Sequence, residues 1–249
     1  MSAFHCRSLS FRAGLASLLL VCAPALLAAE RLPSQRWEKE IEAFEIADRK
    51  NPPPQEAILF IGSSSIRRWK TLARDFPNHT IINRGFGGSQ IADATRYADR
   101  IIIPCKPRLI VLGAGSNDIN AGKSPEQVAA DFGAFVAKIR AALPGTRIAF
   151  MSINPAPVRA TQLEKQRKAN QLIKKYVATG NNLDYINIFD AFLGPDGQPR
   201  EDLFVADRLH HNAAGYEVRV EITRLHLGTP AKSDAAKGKS GSPRPAGKP

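Results

Sequence analysis

The chain has 249 residues, carries a formal charge of +12 and places 23% of its residues in the charged class. That length suits one domain with a sizeable core. The excess charge contains no long Lys/Arg run, so nothing points to nucleic acid as a partner. The mature chain keeps only Cys105, which excludes an intramolecular disulfide and a cysteine metal cluster.

Residues 1–29 read as a secretory signal peptide. Arg7 and Arg12 precede an uncharged Leu/Ala-rich run, Ala13 to Ala29, that ends in small residues. A membrane anchor is the alternative, but the run sits near the lower limit for a span. Leu26 or Leu27 falls at the minus-three position of the cleavage site. Val21 before Cys22 is bulkier than lipoprotein processing prefers. The expectation is cleavage near Ala29 and release to the periplasm or medium. Cys6 and Cys22 leave with this leader.

The folded domain is expected over 30–228. Trp37, Ile41, Phe44 and Ala47 recur at helical spacing until Asn51-Pro-Pro-Pro stops the pattern. Five short apolar runs then read as strands, at 57–61, 80–82, 109–112, 147–151 and 183–188. Helical patterns separate them, with Ile66, Trp69 and Leu72 on one face, then 89–100, 124–143, 162–177 and 212–227. Strands alternating with helices predict an α/β fold, a five-stranded parallel sheet covered on both faces. Beyond it, 229–249 holds Lys, Ser, Gly, Ala and Pro without a large apolar residue, which predicts disorder. Its Gly238-Lys-Ser240 lacks the earlier glycine of a phosphate loop, since Ser233 stands there. The tail carries +4 of the charge, the leader +2 and the domain +6. A basic tail on an exported chain is expected to meet anionic envelope polymers or lipids.

In such folds ligands sit beyond the carboxyl ends of the strands. The polar clusters gather there: Gly62-Ser-Ser-Ser, Asn83-Arg-Gly-Phe-Gly-Gly-Ser, Gly113-Ala-Gly-Ser-Asn-Asp, Ser152-Ile-Asn-Pro and Asp207-Arg-Leu-His210. Each has a bland reading beside a chemical one. Taken alone, the serine triplet reads as a helix cap, yet a serine opening a helix also gains backbone N–H groups that stabilise an oxyanion. Ile66 occupies the last glycine of a Gly-x-Ser-x-Gly elbow, which disfavours the α/β-hydrolase fold. Gln90 likewise breaks a dinucleotide fingerprint starting at Gly85, leaving a tight turn or N–H groups exposed to a ligand. Asn117 fits an Asx turn or a donating amide. Asp207 and His210, three apart, fit a helix approach or an orienter and base. His211 is the alternative base, and the spacing favours His210.

The order and spacing of these blocks resemble the SGNH hydrolases, also called the GDSL lipase/esterase family, over roughly 56–226. The matching blocks are Gly62-Ser63-Ser64, Asn83-x-Gly-x-Gly87-Gly88, Gly115-Ser116-Asn117-Asp118 and Asp207-x-x-His210. The resemblance implies a three-layer α/β/α sandwich of SGNH/flavodoxin-like type. It implies Ser64 as nucleophile, His210 as general base and Asp207 as its orienter. The implied oxyanion hole comprises the N–H groups of Ser64 and Gly88 and the side-chain amide of Asn117, with no cofactor or metal. Ser63 replaces the aspartate of the family's usual Gly-Asp-Ser. The expected function is an exported carboxylic ester hydrolase acting on a small-molecule, lipid or glycan ester. The alternatives are an acyltransferase or deacetylase acting on envelope polysaccharide, and a non-catalytic envelope-binding module.

Overall fold

The computed structural model of the protein describes residues 36–228. The expected leader and tail lie outside the described residues. Five strands form one parallel sheet in the order β2-β1-β3-β4-β5. They are β1 (Ile58–Gly62), β2 (Ile81–Gly85), β3 (Leu109–Gly113), β4 (Arg147–Met151) and β5 (Leu183–Ile186). The sequences of β1 and β3, Ile-Leu-Phe-Ile-Gly and Leu-Ile-Val-Leu-Gly, are buried at every position. A continuous apolar run of this kind is what a strand covered on both faces requires.

The pleat sends alternate residues to opposite layers. Leu59, Ile61, Ile110, Leu112, Ile148 and Phe150 pack on one side. They meet helices α1 (Glu38–Lys50), α4 (Ile91–Arg96), α5 (Ala98–Ile101), α7 (Pro125–Ala142) and α8 (Leu163–Thr179). Ile58, Phe60, Leu109, Val111, Ala149 and Met151 pack on the other. There they meet α2 (Ser64–Arg67), α3 (Leu72–Asp75) and α9 (Ala213–Arg224). Burial of each such side chain stabilises by about 1.5–3 kcal/mol. The expected three-layer α/β/α architecture is therefore the observed one.

Helix boundaries follow local chemistry. Ser124 caps α7, its hydroxyl accepting from Gln127 N at 3.2 Å while Gln127 Oε1 accepts from Ser124 N at 2.8 Å. Asn212 caps α9 by accepting from Gly215 N at 3.0 Å. Several elements differ from the sequence reading: β5, expected over 183–188, ends at Ile186, and α9, expected over 212–227, spans Ala213–Arg224. The pattern Ile66/Trp69/Leu72 is not one helix but α2 and α3, because Trp69 Nε1 and Thr71 Oγ1 both donate to the Asp75 carboxylate and fix a turn between them. The pattern 89–100 divides into α4 and α5 at Tyr97. Strand β2 runs on to Gly85 instead of ending at Ile82. Arg84 is accommodated there because its Nη2 reaches Asp48 at 2.6 Å and its Nε donates to Ile101 O.

The register then positions the site. Gly62, Gly85 and Gly113 lie level at the carboxyl ends of three adjacent strands. Gly62 has φ +154, and a Cβ there would lie 2.1 Å from the Gly113 carbonyl oxygen. Only glycine fits at this close approach of the ends of β1 and β3.

Candidate active site

Ser64 is the first residue of α2, reached from β1 through Gly62 and the extended Ser63. At that position its N–H has no intrahelical acceptor. Its Oγ lies 2.9 Å from His210 Nε2. His210 Nδ1 lies 2.6 Å from Asp207 Oδ2. The other carboxylate oxygen, Oδ1, accepts from the N–H groups of Leu209 and His210, each at 2.9 Å. The hydrogen bond with the His210 ring, and then the one from its backbone, hold the Asp207 carboxyl far below the usual carboxylate range. A carboxylate at Nδ1 fixes a proton on that nitrogen and leaves Nε2 to accept one from the serine. Ser64, His210 and Asp207 thus form one hydrogen-bonded line.

This turn is closed by its own backbone. Arg208 N donates to Val205 O, Val205 N donates to His210 O, and Phe204 bridges to His211. Arg208 adopts φ +57 and pairs with Glu201.

His211 occupies different surroundings. It is buried between Phe192, Phe204 and Tyr216, with Nε2 3.1 Å from Asn154 and Nδ1 3.4 Å from Arg219. Burial, and then the Arg219 charge, push its pKa well down. It is a neutral packing residue whose two ring nitrogens are engaged by Asn154 and Arg219, while the Ser64 hydroxyl meets His210, so the alternative base is disfavoured on geometry.

Asn117 sits in the second position of α6 (Ser116–Asn120), just beyond β3. The Asx-turn reading does not describe it. Its Nδ2 donates to Ser89 O at 3.0 Å, and its Oδ1 accepts from Arg159 Nη2 at 3.0 Å. Arg159 Nη1 also donates to Ser116 Oγ at 2.7 Å. The amide is thereby held at both ends, with one of its two hydrogens still available. The glycine loop is anchored beside it. Phe86 N donates to Gly62 O, Trp37 Nε1 donates to Gly87 O at 2.8 Å, and Ser89 Oγ donates to Phe86 O. Gly88 takes φ +78. The buried Asp118 accepts from Ile91 N and from Lys123 Nζ, fastening α6 to the start of α4. Burial pushes its carboxyl up, against the pull of Lys123.

Sequence reasoning missed Arg159. It lies in a 3-10 turn over 157–162, remote in sequence from Asn117, and no local pattern links the two. Among the described residues, no group of three or more His, Cys, Asp or Glu side chains is arranged to hold a metal ion.

The chain matches the GDSL-like Lipase/Acylhydrolase family over residues 60–218. No curated protein matches it. Among solved structures, it is similar to a Streptococcus pneumonia protein named for platelet activating factor, with TM-score 0.70 and 23% identity over 78% of this chain and 94% of that one. A GDSL-like lipase from Bacteroides thetaiotaomicron gives TM-score 0.62 and 18% identity over 78% and 96% of the two chains. An acetylxylan esterase from Geobacillus stearothermophilus gives TM-score 0.58 and 14% identity over 71% and 95%.

Proposed function

The chain belongs to the GDSL-like lipase/acylhydrolase family, and on that premise we propose that it is an exported serine esterase with Ser64 as nucleophile, His210 as base and Asp207 as orienter. The observation that carries this reading is the unbroken line from Asp207 through His210 to Ser64 Oγ, at 2.6 and 2.9 Å, on the ligand-binding edge of the sheet. His210 Nε2 takes the Ser64 proton as Oγ attacks the ester carbonyl. The tetrahedral oxyanion is held by the N–H groups of Ser64 and Gly88 and the Asn117 amide. His210 then returns the proton to the departing alcohol, leaving an acyl-enzyme. A water, deprotonated by His210, releases the acid and restores Ser64.

Arg159 acts in this reading as a positioning residue, since it fixes Asn117 Oδ1 and so aims the Nδ2 hydrogens. Export rests on Arg7, Arg12 and the apolar run ending at Ala29. The intact mass of protein from the native envelope tests it: a chain starting near Glu30 is expected, and one retaining Met1 or a lipidated Cys22 refutes it. The basic tail beyond Gly228 is expected to tether the enzyme to anionic envelope components through contacts that salt screens.

A fluorophosphonate probe tests the nucleophile. Labelling is expected to vanish in Ser64→Ala and to persist in Ser63→Ala and Ser65→Ala. Labelling that survives in Ser64→Ala refutes the assignment. p-Nitrophenyl esters of graded chain length, set beside acetylated xylan, then distinguish a simple esterase from a glycan deacetylase. The latter is the activity in the name of the Geobacillus neighbour.

A further inference from the structure

Arg219, on α9, is 1% exposed and among the largest fully buried side chains of the protein. Among the described residues, no carboxylate forms an ion pair with it. The guanidinium lies 5.1 Å from the Trp69 ring centroid and 6.0 Å from that of Tyr216. Nη2 donates to Met151 Sδ at 2.8 Å, and Nη1 faces the neutral His211 at 3.4 Å. Nε has no partner among the described residues. Thioether sulfur is a weak acceptor, and aromatic faces offset only part of the hydration a cation loses. Burial pushes the Arg219 pKa down to about 10, so the group remains a cation at neutral pH. A buried charge of this kind normally persists only when it is paired.

A cavity of about 30 Å³ adjoins this side chain. It lies under the strand ends, and Arg219 Nη2 is 3.7 Å from where a Cβ on Gly113 would stand. Ser63, Ser65, Ser116 and Asn154 line it with Arg219, and none of its lining residues is acidic. Ser63 makes no capping bond with its hydroxyl. Ser116 Oγ accepts from Arg159 and so keeps its own hydrogen to donate. The lining thus combines one cation with hydroxyl donors. One water needs roughly 10–15 Å³ measured in the same way, so the space suits a single particle and is too small for a phosphate or an organic acid.

We propose that Arg219 and the surrounding serines bind one monatomic anion, chloride under ordinary salt conditions, beneath the turn that carries Ser64. Ser63 stands where the family resemblance places an aspartate, so the anion supplies the negative charge that this chain does not encode there. The site does not depend on the esterase reading.

Thermal unfolding of the full-length protein at constant ionic strength, with chloride or bromide titrated against gluconate, tests the proposal. The halides are expected to raise Tm saturably, by ~3–6 °C at ten times the dissociation constant. Ser63→Asp should unfold in gluconate at or above the wild-type chloride value and lose the halide response. Arg219→Met should lose the response as well. Should that variant fail to fold, anomalous scattering from wild-type crystals grown in bromide decides independently, with a peak expected in the cavity beside Arg219. Equal Tm values in chloride and gluconate, or a cavity holding water and no bromide, would overturn the proposal.

Discussion

Ser64 and Asn117 follow strands that are buried at every position, whereas Asp207 and His210 stand on a turn near the surface, with the Asp207 side chain 43% exposed and that of His210 16%. The first region inherits its geometry from the sheet. Gly62, Gly85 and Gly113 end level, and the Ser64 and Asn117 turns leave from that line. The second region makes its own geometry, since Asp207 accepts three hydrogen bonds from residues at most three positions away. The scaffold half is rigid because the core is rigid. The turn half is fixed by local bonds alone, those of its own backbone and those to the Asp207 carboxylate. Preorganised donors and an oriented base are both needed for acyl transfer, yet in the proposed site they come from regions of very different burial.

The comparison is broken most severely by removing the residues that join the two regions. Ser64→Ala and His210→Ala should each lower kcat on p-nitrophenyl acetate by about 10⁴–10⁶-fold, and the double variant should lose no more than either alone. Additive losses would mean that the two side chains do not act together.

Next in size is the residue proposed as the scaffold's oxyanion donor. Asn117→Ala should lower kcat by about 10²–10³-fold with little change in KM. Arg159→Met should lower kcat by roughly tenfold, and its effect should disappear in the Asn117→Ala background, because coupled residues are not additive. Arg159→Lys should restore little, since an ammonium does not reproduce the forked geometry that reaches both Ser116 Oγ and Asn117 Oδ1. A loss in Arg159→Met that appears in KM would instead place Arg159 against substrate.

A smaller effect falls on stability. Gly88→Ala meets a φ of +78 and a contact of 3.0 Å with Arg36 Nη2. It should cost about 1–2 kcal/mol of folding stability, read from denaturant unfolding. An unchanged midpoint would mean that the glycine loop relaxes without penalty.

Much of the scaffold half was legible in the sequence. Strands β1 and β3 announce themselves as apolar runs ending in glycine, because a strand buried on both faces tolerates little else. The same is true of the caps Ser124 and Asn212, whose side chains satisfy backbone donors close by in sequence. Less legible were the features that depend on distant partners. Arg84 reads as the start of a loop until Asp48 is brought to it. Arg219 reads as an ordinary charged position of an amphipathic helix, and its burial depends on Trp69, Met151 and His211 meeting around it. Helix periodicity likewise could not foresee that Asp75 would draw two donors and divide α2 from α3. The Asp207–His210 spacing was visible, but it became a directed pair only when Arg208 took φ +57 and turned the chain.

The smallest expected effect concerns the exposed half alone and its dependence on pH. Hydrogen bonds from His210 and Leu209 lower the Asp207 pKa in the folded state, while an unfolded aspartate titrates near 3.9. A depressed folded pKa contributes stability that is present above the unfolded value and is lost as pH falls through the folded one. The stability difference between wild type and Asp207→Asn should therefore be flat from neutral pH down to about pH 5, and should shrink only at more acid pH. Its size should be modest, because water screens a carboxylate this exposed. Activity should behave differently. Asp207→Asn should depress kcat across the whole range, since an amide at Nδ1 does not fix the tautomer that leaves Nε2 free for Ser64. Paired urea titrations carried from neutral pH down to about pH 3, with kcat profiles around neutral pH, check both halves of this expectation. A stability difference that stays flat through the acid range as well would show that the Asp207 carboxyl titrates in its ordinary range, and the turn would then be held by its backbone bonds without help from the charge.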